Sequence, residues 1–437
     1  MRQPNILYLH SHDTGRYVQP YGYAVDTPHI QKLAEQGVLF RQAFCANPTC
    51  SPSRAALLTG QWPHTNGMIG LAHRGFALRD DGLHIAHTLR RAGYTTAVAG
   101  QQHVGRYQGG VEQVRDLGYD HVLGTNPGDA GEVTRAAVEF LNQRHTQPFF
   151  LSVGYFDTHR SFPVAEVEPG YVRPPAPLPD TPEVRQDMAA FLTSARRLDD
   201  SMGQVLAALD QTGLAADTLV ICTTDHGIAF PFMKCNLTDH GLGVMLIMRG
   251  PGGFAGGKVI DAMVSQVDIF PTLCECLGLP RPERLQGVSI LPLVRGEATT
   301  IREEVFAEVN YHAAYEPMRC VRTTRWKYIR RFDPRPGPVL ANCDDCPSKD
   351  VLLASGWKNR APAEEALYDL VFDPNESNNL AGQAAHADVL RDMRGRLEKW
   401  MRQTDDPLLR GPLALPAGAR VNGRDQVSPN EPITQDV

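Results

Sequence analysis

No stretch of this 437-residue chain approaches the ~20 consecutive apolar residues of a membrane-spanning helix. The opening residues, Met1-Arg2-Gln3-Pro4-Asn5, lack the apolar core and small-residue cleavage site of a secretory leader. They pass straight into the apolar run Ile6 to Leu9, so a cytoplasmic protein is expected. A strong charge of either sign is missing too, since 43 Lys and Arg against 49 Asp and Glu leave a net −6. Nucleic acid and anionic membranes both require a basic face, so neither is expected as a partner. A small anionic substrate is compatible, provided that positive charge is gathered locally. The cysteines number nine, an odd count that argues against a disulfide framework. Cys343 and Cys346 form a C-x-x-C with no second pair to complete a zinc site. A local disulfide or two idle thiols is the simpler reading. Internal repeats are absent.

What is present fits an ordinary globular protein: 42% hydrophobic and 21% charged residues. The length exceeds one compact domain. We expect a catalytic domain over residues 1–300 and a smaller α+β subdomain with a polar tail over 301–437. Asn5 to Leu9, Thr95 to Ala99, Phe149 to Val153 and Thr218 to Cys222 read as strands. Helices are expected from the Asp26-Thr27-Pro28 start, after the segment ending at Arg54, and over His84 to Ala92, Glu132 to Asn142 and Glu183 to Leu209. This alternation implies an α/β domain with a mainly parallel sheet flanked by helices. Ligands of such sheets bind at the carboxyl ends of the strands. His12-Asp13, Gln101 to His103, Asp157 to His159 and Asp225-His226 all fall at those ends. Beyond residue 300, Val305 to Val309, Cys320 to Thr323 and Trp326 to Arg330 read as short strands, and Asp388 to Arg402 as a helix. The tail after Asp406 is expected to wrap the surface.

Cys50 lies in Cys50-Ser51-Pro52-Ser53-Arg54, directly before an expected helix. A helix start offers free N–H groups to an anion, and Arg54 one turn along could aim its guanidinium there. A buried thiol beside a turn proline is the plain alternative. The continuation Ala55-Ala56-Leu57-Leu58-Thr59-Gly60 decides between them. The whole segment resembles the signature of the sulfatase family, within the alkaline phosphatase superfamily. Thr59-Gly60 with His64, Asn66-Gly67-Met68, Gly70-Leu71, Gly100 to Gly105 and Tyr315-Glu316-Pro317-Met318-Arg319 are similar to its sulfamidase (heparan N-sulfatase) branch. Leu367-Tyr368-Asp369-Leu370 with Asp373-Pro374 is similar to the usual sulfatase ending.

The resemblance implies an alkaline-phosphatase-like fold and hydrolysis of a sulfate ester or N-sulfate, on a sulfated sugar or similar small molecule. It implies conversion of Cys50 to formylglycine by a formylglycine-generating enzyme. It also implies a divalent metal held by Asp13, His12, Asp225 and His226. Calcium is the ion the family implies. His12 and His226, however, stand where sulfatases carry Asp and Asn, and calcium prefers all-oxygen shells, so manganese or zinc gains ground. In the family pattern His103 acts on the formylglycine hydroxyl, His159 meets the sulfate and the leaving group, and Arg54 and Lys234 hold sulfate oxygens. Gln101 departs from the lysine usual there. Losing that charge weakens a sulfate contact by about 1–3 kcal/mol unless a group such as Arg106 replaces it. Glu308 and His312, with Arg319, come from the second domain and are candidate sugar contacts. A phosphonate monoester or phosphodiester hydrolase is the alternative activity, and a degenerate anion-binding protein the alternative class. Homo-oligomers are compatible with either.

Overall fold

The computed structural model describes residues 3–106, 110–124 and 126–433. Among these, one eight-stranded sheet and one four-stranded sheet carry the chain. The large sheet contains β1 (Asn5–Ser11), β2 (Val38–Phe44), β3 (Thr95–Gly100), β4 (His121–Leu123), β5 (Phe149–Gly154), β6 (Thr218–Thr224), β7 (Leu246–Arg249) and β8 (Lys258–Ser265). Their order is β4-β3-β5-β1-β6-β7-β2-β8, parallel throughout except for β7. Every residue of β1 is buried. Ile6 and Tyr8 pack into one apolar cluster and Leu7 and Leu9 into another, as the two-residue pleat requires of a strand covered on both faces.

Helices supply both covers. On the Leu7 side lie Pro28–Gln36, Ala130–Leu141 and the long helix Pro182–Gln211. The long helix buries Leu198, Met202, Val205 and Leu209, spaced at the helical period. Each such side chain contributes about 1.5–3 kcal/mol by leaving water, before its entropy is counted. On the Ile6 side lie Cys50–Thr59, Ile85–Arg91 and Ile269–Cys276. The first of these differs from the sequence expectation: the helix begins at Cys50 itself and includes the whole cysteine motif. Pro52 does not prevent this, because the first-turn N–H that it lacks would have no intrahelical acceptor.

The second sheet is antiparallel, β12-β11-β10-β9, with β9 (Val305–Tyr311), β10 (Tyr315–Arg322), β11 (Trp326–Arg331) and β12 (Glu365–Asp369). The β9–β10 register shifts between Tyr315 and Met318, around Pro317, which has no N–H to give the ladder. Helix Ala387–Gln403 packs Leu390, Met393, Leu397 and Trp400 in a cluster shared with this sheet. Trp400 stacks on Phe306 at 5.0 Å and meets Trp62 of the first unit edge-on at 5.3 Å. The tail returns across the molecule, with Asn422 N donating to Ala313 O at 2.7 Å. No helix among the described residues is long and apolar enough to cross a membrane.

Candidate active site

Strands β3, β5, β1 and β6 are neighbours and run the same way, so the polar segments after each arrive at one edge. The crowding there is tight. A Cβ on Gly154 would come within 1.9 Å of Gln101 O, and one on Gly227 within 1.9 Å of His240 O. Asp13 and His103 both adopt left-handed backbone, φ 51° and 54°. That conformation is unusual for a residue with a Cβ, though Asp and His tolerate it better than most.

The helix Cys50–Thr59 points its start at this edge, and Cys50 is 2% exposed. Arg54, one turn on, is buried and already engaged. Its Nη1 donates to His10 Nδ1 (2.6 Å) and its Nη2 to Ser11 O (2.7 Å) and Asp225 Oδ2 (2.9 Å). The guanidinium therefore braces the ends of β1 and β6 more than it reaches outward.

Asp13 and Asp225 are joined to their surroundings by several bonds. Asp225 Oδ1 accepts from the N–H of Asp13 (2.8 Å) and of His226 (2.9 Å). Burial alone would raise both carboxyl pKa values. His226, Arg54 and His12 around Asp225, and Lys234, His159 and His226 around Asp13, outweigh it and hold both well below the usual carboxylate range. Ligand atoms of Asp13, Cys50, Asp225 and His226 lie within 4.8 Å of one another, as do those of His12, Asp13, Cys50 and His159.

The histidine tautomers show that this donor set suits a cation. His226 Nδ1 donates to Gly227 O (2.9 Å), which leaves the Nε2 lone pair 3.3 Å from Asp13 Oδ1 and 3.4 Å from Cys50 Sγ. A lone pair facing a carboxylate oxygen is repulsive unless positive charge lies between them. Burial pushes the pKa of the ring down, against the pull of Asp225 and Asp13, so a cation held between these groups would relieve the repulsion. His12 Nδ1 is likewise spent on Asp225 Oδ2 at 3.0 Å, and its buried Nε2 has no hydrogen-bond partner among the described residues. Two carboxylates and two imidazole Nε2 atoms make a mixed oxygen–nitrogen shell.

Lys234 and His159 stand on the outer side. Lys234 Nζ donates to Asp13 Oδ2 (2.8 Å) and Asp344 Oδ2 (3.0 Å) and lies 3.3 Å from His159 Nε2. Burial would lower its pKa, but the two carboxylates keep it well above the ordinary value. His159 Nδ1 bonds Arg160 O (2.5 Å), and burial with Lys234 lowers its pKa. His103 stacks on His73 at 5.4 Å, with His73 Nδ1 3.1 Å from its Nε2, and its Nδ1 is buried without a partner among the described residues. Burial, with His12 next, holds it neutral. His312 is buried where it feels Lys234, Asp344 and His226.

Other sequence candidates lie apart. Gln101 is half-buried at the end of β3, its amide unbonded among the described residues. Arg106 is exposed and lines an outer recess with His73, Arg74 and Arg420. Glu308 is fully buried and committed inside the protein: it accepts from the N–H of His64 (2.8 Å) and pairs with the His64 ring. Arg319 holds Asp406 through Nε at 2.6 Å. Cys343 and Cys346 are free thiols, and Cys346 Sγ accepts from Lys349 N (3.4 Å) at the start of a helix.

Asp344, His73, His10 and Gln266 were not legible as site residues. Asp344 comes from the second unit, inside Cys343-Asp344-Asp345-Cys346, where the thiols draw attention from the acids. Its carboxyl, which burial would raise, is brought down to about 2, chiefly by Lys234.

Geometry of this kind, with carboxylates and imidazoles gathered around a helix-start thiol at parallel strand ends, defines a hydrolase of sulfate- or phosphate-type esters. Comparison narrows the class. The family model Sulfatase matches residues 4–279, and the model described as N-sulphoglucosamine sulphohydrolase, C-terminal, matches residues 226–337. The human N-sulphoglucosamine sulphohydrolase is 31% identical over 94% of this chain and 92% of its own length. An ulvan-active sulfatase of Formosa agariphila is 26% identical over 99% of this chain and 80% of its own. A protein solved in complex with its substrate D-glucosamine-2-N,6-O-disulfate superposes with a TM-score of 0.70 at 20% identity, over 94% of this chain and 99% of its own. The chain belongs to the sulfatase family, and it is a sulfuric ester hydrolase.

Proposed function

We propose that this hydrolase removes sulfate from a sulfated amino sugar, an N-sulfate above all, after conversion of Cys50 to formylglycine by a formylglycine-generating enzyme. The observation that carries the reading is the meeting of Cys50, Asp13, Asp225 and His226 within 4.8 Å at the helix start. The relatives' names support the sugar. Residues 1–300 would form the catalytic unit, and 301–437 would contribute Asp344 and His312 to the rim.

Asp13, Asp225, His226 and His12 would hold a divalent cation, and the two nitrogens favour manganese or zinc over calcium. Bound there, the cation supplies charge stabilisation and lowers the pKa of a hydroxyl group. Formylglycine supplies that hydroxyl in its hydrated form. Lys234 offers N–H to a sulfate oxygen, and its two carboxylates keep it charged without another partner. His159 is neutral at rest. An arriving sulfate favours its protonated form, so that Nε2 can give a proton to the leaving nitrogen or oxygen. His103, neutral and with Nδ1 unengaged, fits the base that restores the resting state. Arg54 keeps Asp225 and β1 in place.

Peptide mass spectrometry across residues 41–54 is expected to show the aldehyde in place of the Cys50 thiol. Asp225→Ala is expected to lose metal and turnover together, read by elemental analysis and by kcat/KM on N-sulfoglucosamine, an aryl sulfate and a phosphonate monoester. Full metal occupancy in the variant would sink the metal assignment. A preference for the phosphonate in the parent enzyme would sink the sulfated-sugar reading.

A further inference from the structure

A groove of about 610 Å³ is bordered by both sheets, with Arg41 of β2, Arg322 of β10, Arg16, Tyr21, Tyr23 and Asp239 in its lining. Cys50, Asp13, Asp225 and Lys234 take no part in that lining. Arg16 gives Nη2 to Ala43 O (2.8 Å). Among the described residues its Nη1 has no acceptor, and its Nε is buried without one. Its guanidinium lies 4.6 Å from the centre of the Phe44 ring, and that of Arg322 lies 4.5 Å from the same centre. A Cβ on Gly243 would come within 2.8 Å of Arg16 Cζ, so the backbone there is kept bare for the guanidinium.

The fold makes room for this cation but gives it no carboxylate. Arg54, Arg160 and Arg319 each hold one, at 2.9, 2.7 and 2.6 Å. Arg16 has no such pair among the described residues; Asp239 attracts it from further off and Arg322 repels it. Asp239 is already shared, its two oxygens held by Lys327 (2.6 Å) and Arg322 (2.9 Å). Arg41 meets Asp261 at 3.2 Å, but both side chains are exposed, so water weakens that pair. Four cations thus stand against Asp239 and Asp261, and they stay in excess even with Glu376, 2.9 Å from Lys327, ionised. An incoming anion would relieve that excess. The volume falls in the range of small-molecule sites. Tyr21 spends its hydroxyl on Phe40 O (2.9 Å) and offers the groove its ring, and Tyr23 is 36% exposed.

We propose that this groove is a second anion site, separate from the reacting centre, which holds a tetrahedral oxyanion, phosphate or sulfate, free or as the head of a small organic monoester. Arg16 and Arg41 give the head their open N–H donors, and an organic body lies along Tyr21 and Tyr23. Guanidiniums suit such a head because it accepts paired N–H bonds on several oxygens. The residues named for nucleophilic attack and metal binding lie outside the groove, so its ligand is held there and not cleaved.

Arg41 is the residue to change, because its side chain is 63% exposed and its replacement leaves the core intact. Inorganic phosphate, inorganic sulfate and glucose 6-phosphate are titrated by calorimetry into the full-length protein, with glucose as the neutral control. The expected result is binding of at least one of the three anions, weaker as chloride rises, that Arg41→Glu weakens roughly tenfold or more. Arg391→Glu makes the same charge change on the exposed face of helix Ala387–Gln403 and should leave the affinity within about twofold. Arg16→Gln keeps a donor for Ala43 O, removes the charge and should weaken the same binding several-fold; melts check its fold, and Arg41→Glu carries the test if that variant does not fold. An ester bound more tightly than free phosphate identifies a monoester as the ligand, and equal affinity identifies the free ion. No anion binding in the parent protein overturns the proposal. So does binding that Arg41→Glu leaves within about twofold, which would place the anion in the catalytic cluster alone. Equal weakening by Arg41→Glu and Arg391→Glu overturns it too, because the effect would then be diffuse charge and not a site.

Discussion

Cys50 and Cys45 are both buried, and burial raises the pKa of both thiols. They differ in company. Cys50 Sγ lies 3.4 Å from His226 Nε2, whereas Cys45 Sγ lies 3.9 Å from Gly241 O, a backbone carbonyl. A neutral buried thiol is a poor nucleophile, and the conversion of Cys50 proposed above would replace it with a hydroxyl. Cys50→Ala is expected to abolish turnover with little change in unfolding midpoint, and Cys45→Ala to leave kcat within about twofold; parallel activity assays and melts decide. Equal activity in the two variants would remove Cys50 from the chemistry. At this scale the sequence was informative where residues came in a long motif, as from Cys50 to Gly60. It was silent where a partner comes from far along the chain. Asp344 meets Lys234 across 110 residues, and no local pattern marks that pair.

Elements meet at the site through Gln266, in the short turn that follows β8. Its Nε2 donates to Thr224 O (2.5 Å) and its Oε1 accepts from Ser53 Oγ (3.0 Å), while Ser53 Oγ lies 2.5 Å from Asp225 O. One buried amide thus ties the helix that carries Cys50 to the end of β6. Gln266 touches no reacting group, so it is a positioning residue. Gln266→Ala is expected to lower kcat by roughly 10- to 100-fold, with metal content and KM little changed, because a small misplacement at a reacting centre costs rate more than affinity. A rise in KM alone would show that the tie serves binding instead. The strands that bear the site were readable because β1, β3, β5 and β6 are continuous apolar runs. β2 and β8 were not. β2 has an exposed Arg41 mid-strand, and β8 begins with exposed Lys258 and Val259, so neither shows a clean period. β7 has four residues, too few for any period to show.

At the scale of the whole molecule, a charged seam joins its two sheets beside the apolar core that they share. Asp239, near the large sheet, receives Lys327 Nζ at 2.6 Å and Arg322 Nη2 at 2.9 Å, both from the second sheet. Glu376 lies 2.9 Å from the same lysine, and its Oε2 accepts from Asp239 N (2.5 Å). Arg322, Lys327 and Arg16 all face Asp239 and keep it ionised. Glu376, buried behind it, has its pKa raised from 4.5 to about 7, by burial first; Lys327 opposes the rise and Asp239 adds to it. A carboxyl whose folded pKa exceeds its unfolded one binds more protons when folded. Stability then falls as pH rises between about 4.5 and 7, opposite in direction to an ordinary salt-bridged carboxylate. The loss is on the order of 3 kcal/mol across that window. Glu376→Gln keeps the shape of the protonated group and removes the titration. Urea unfolding of the parent protein between pH 5 and 8 is therefore expected to show a declining midpoint, and the variant a flatter one, with the two closest at the acid end. Parallel curves would mean that Lys327 keeps Glu376 ionised throughout, and that the seam is a balanced ion network with no proton of its own.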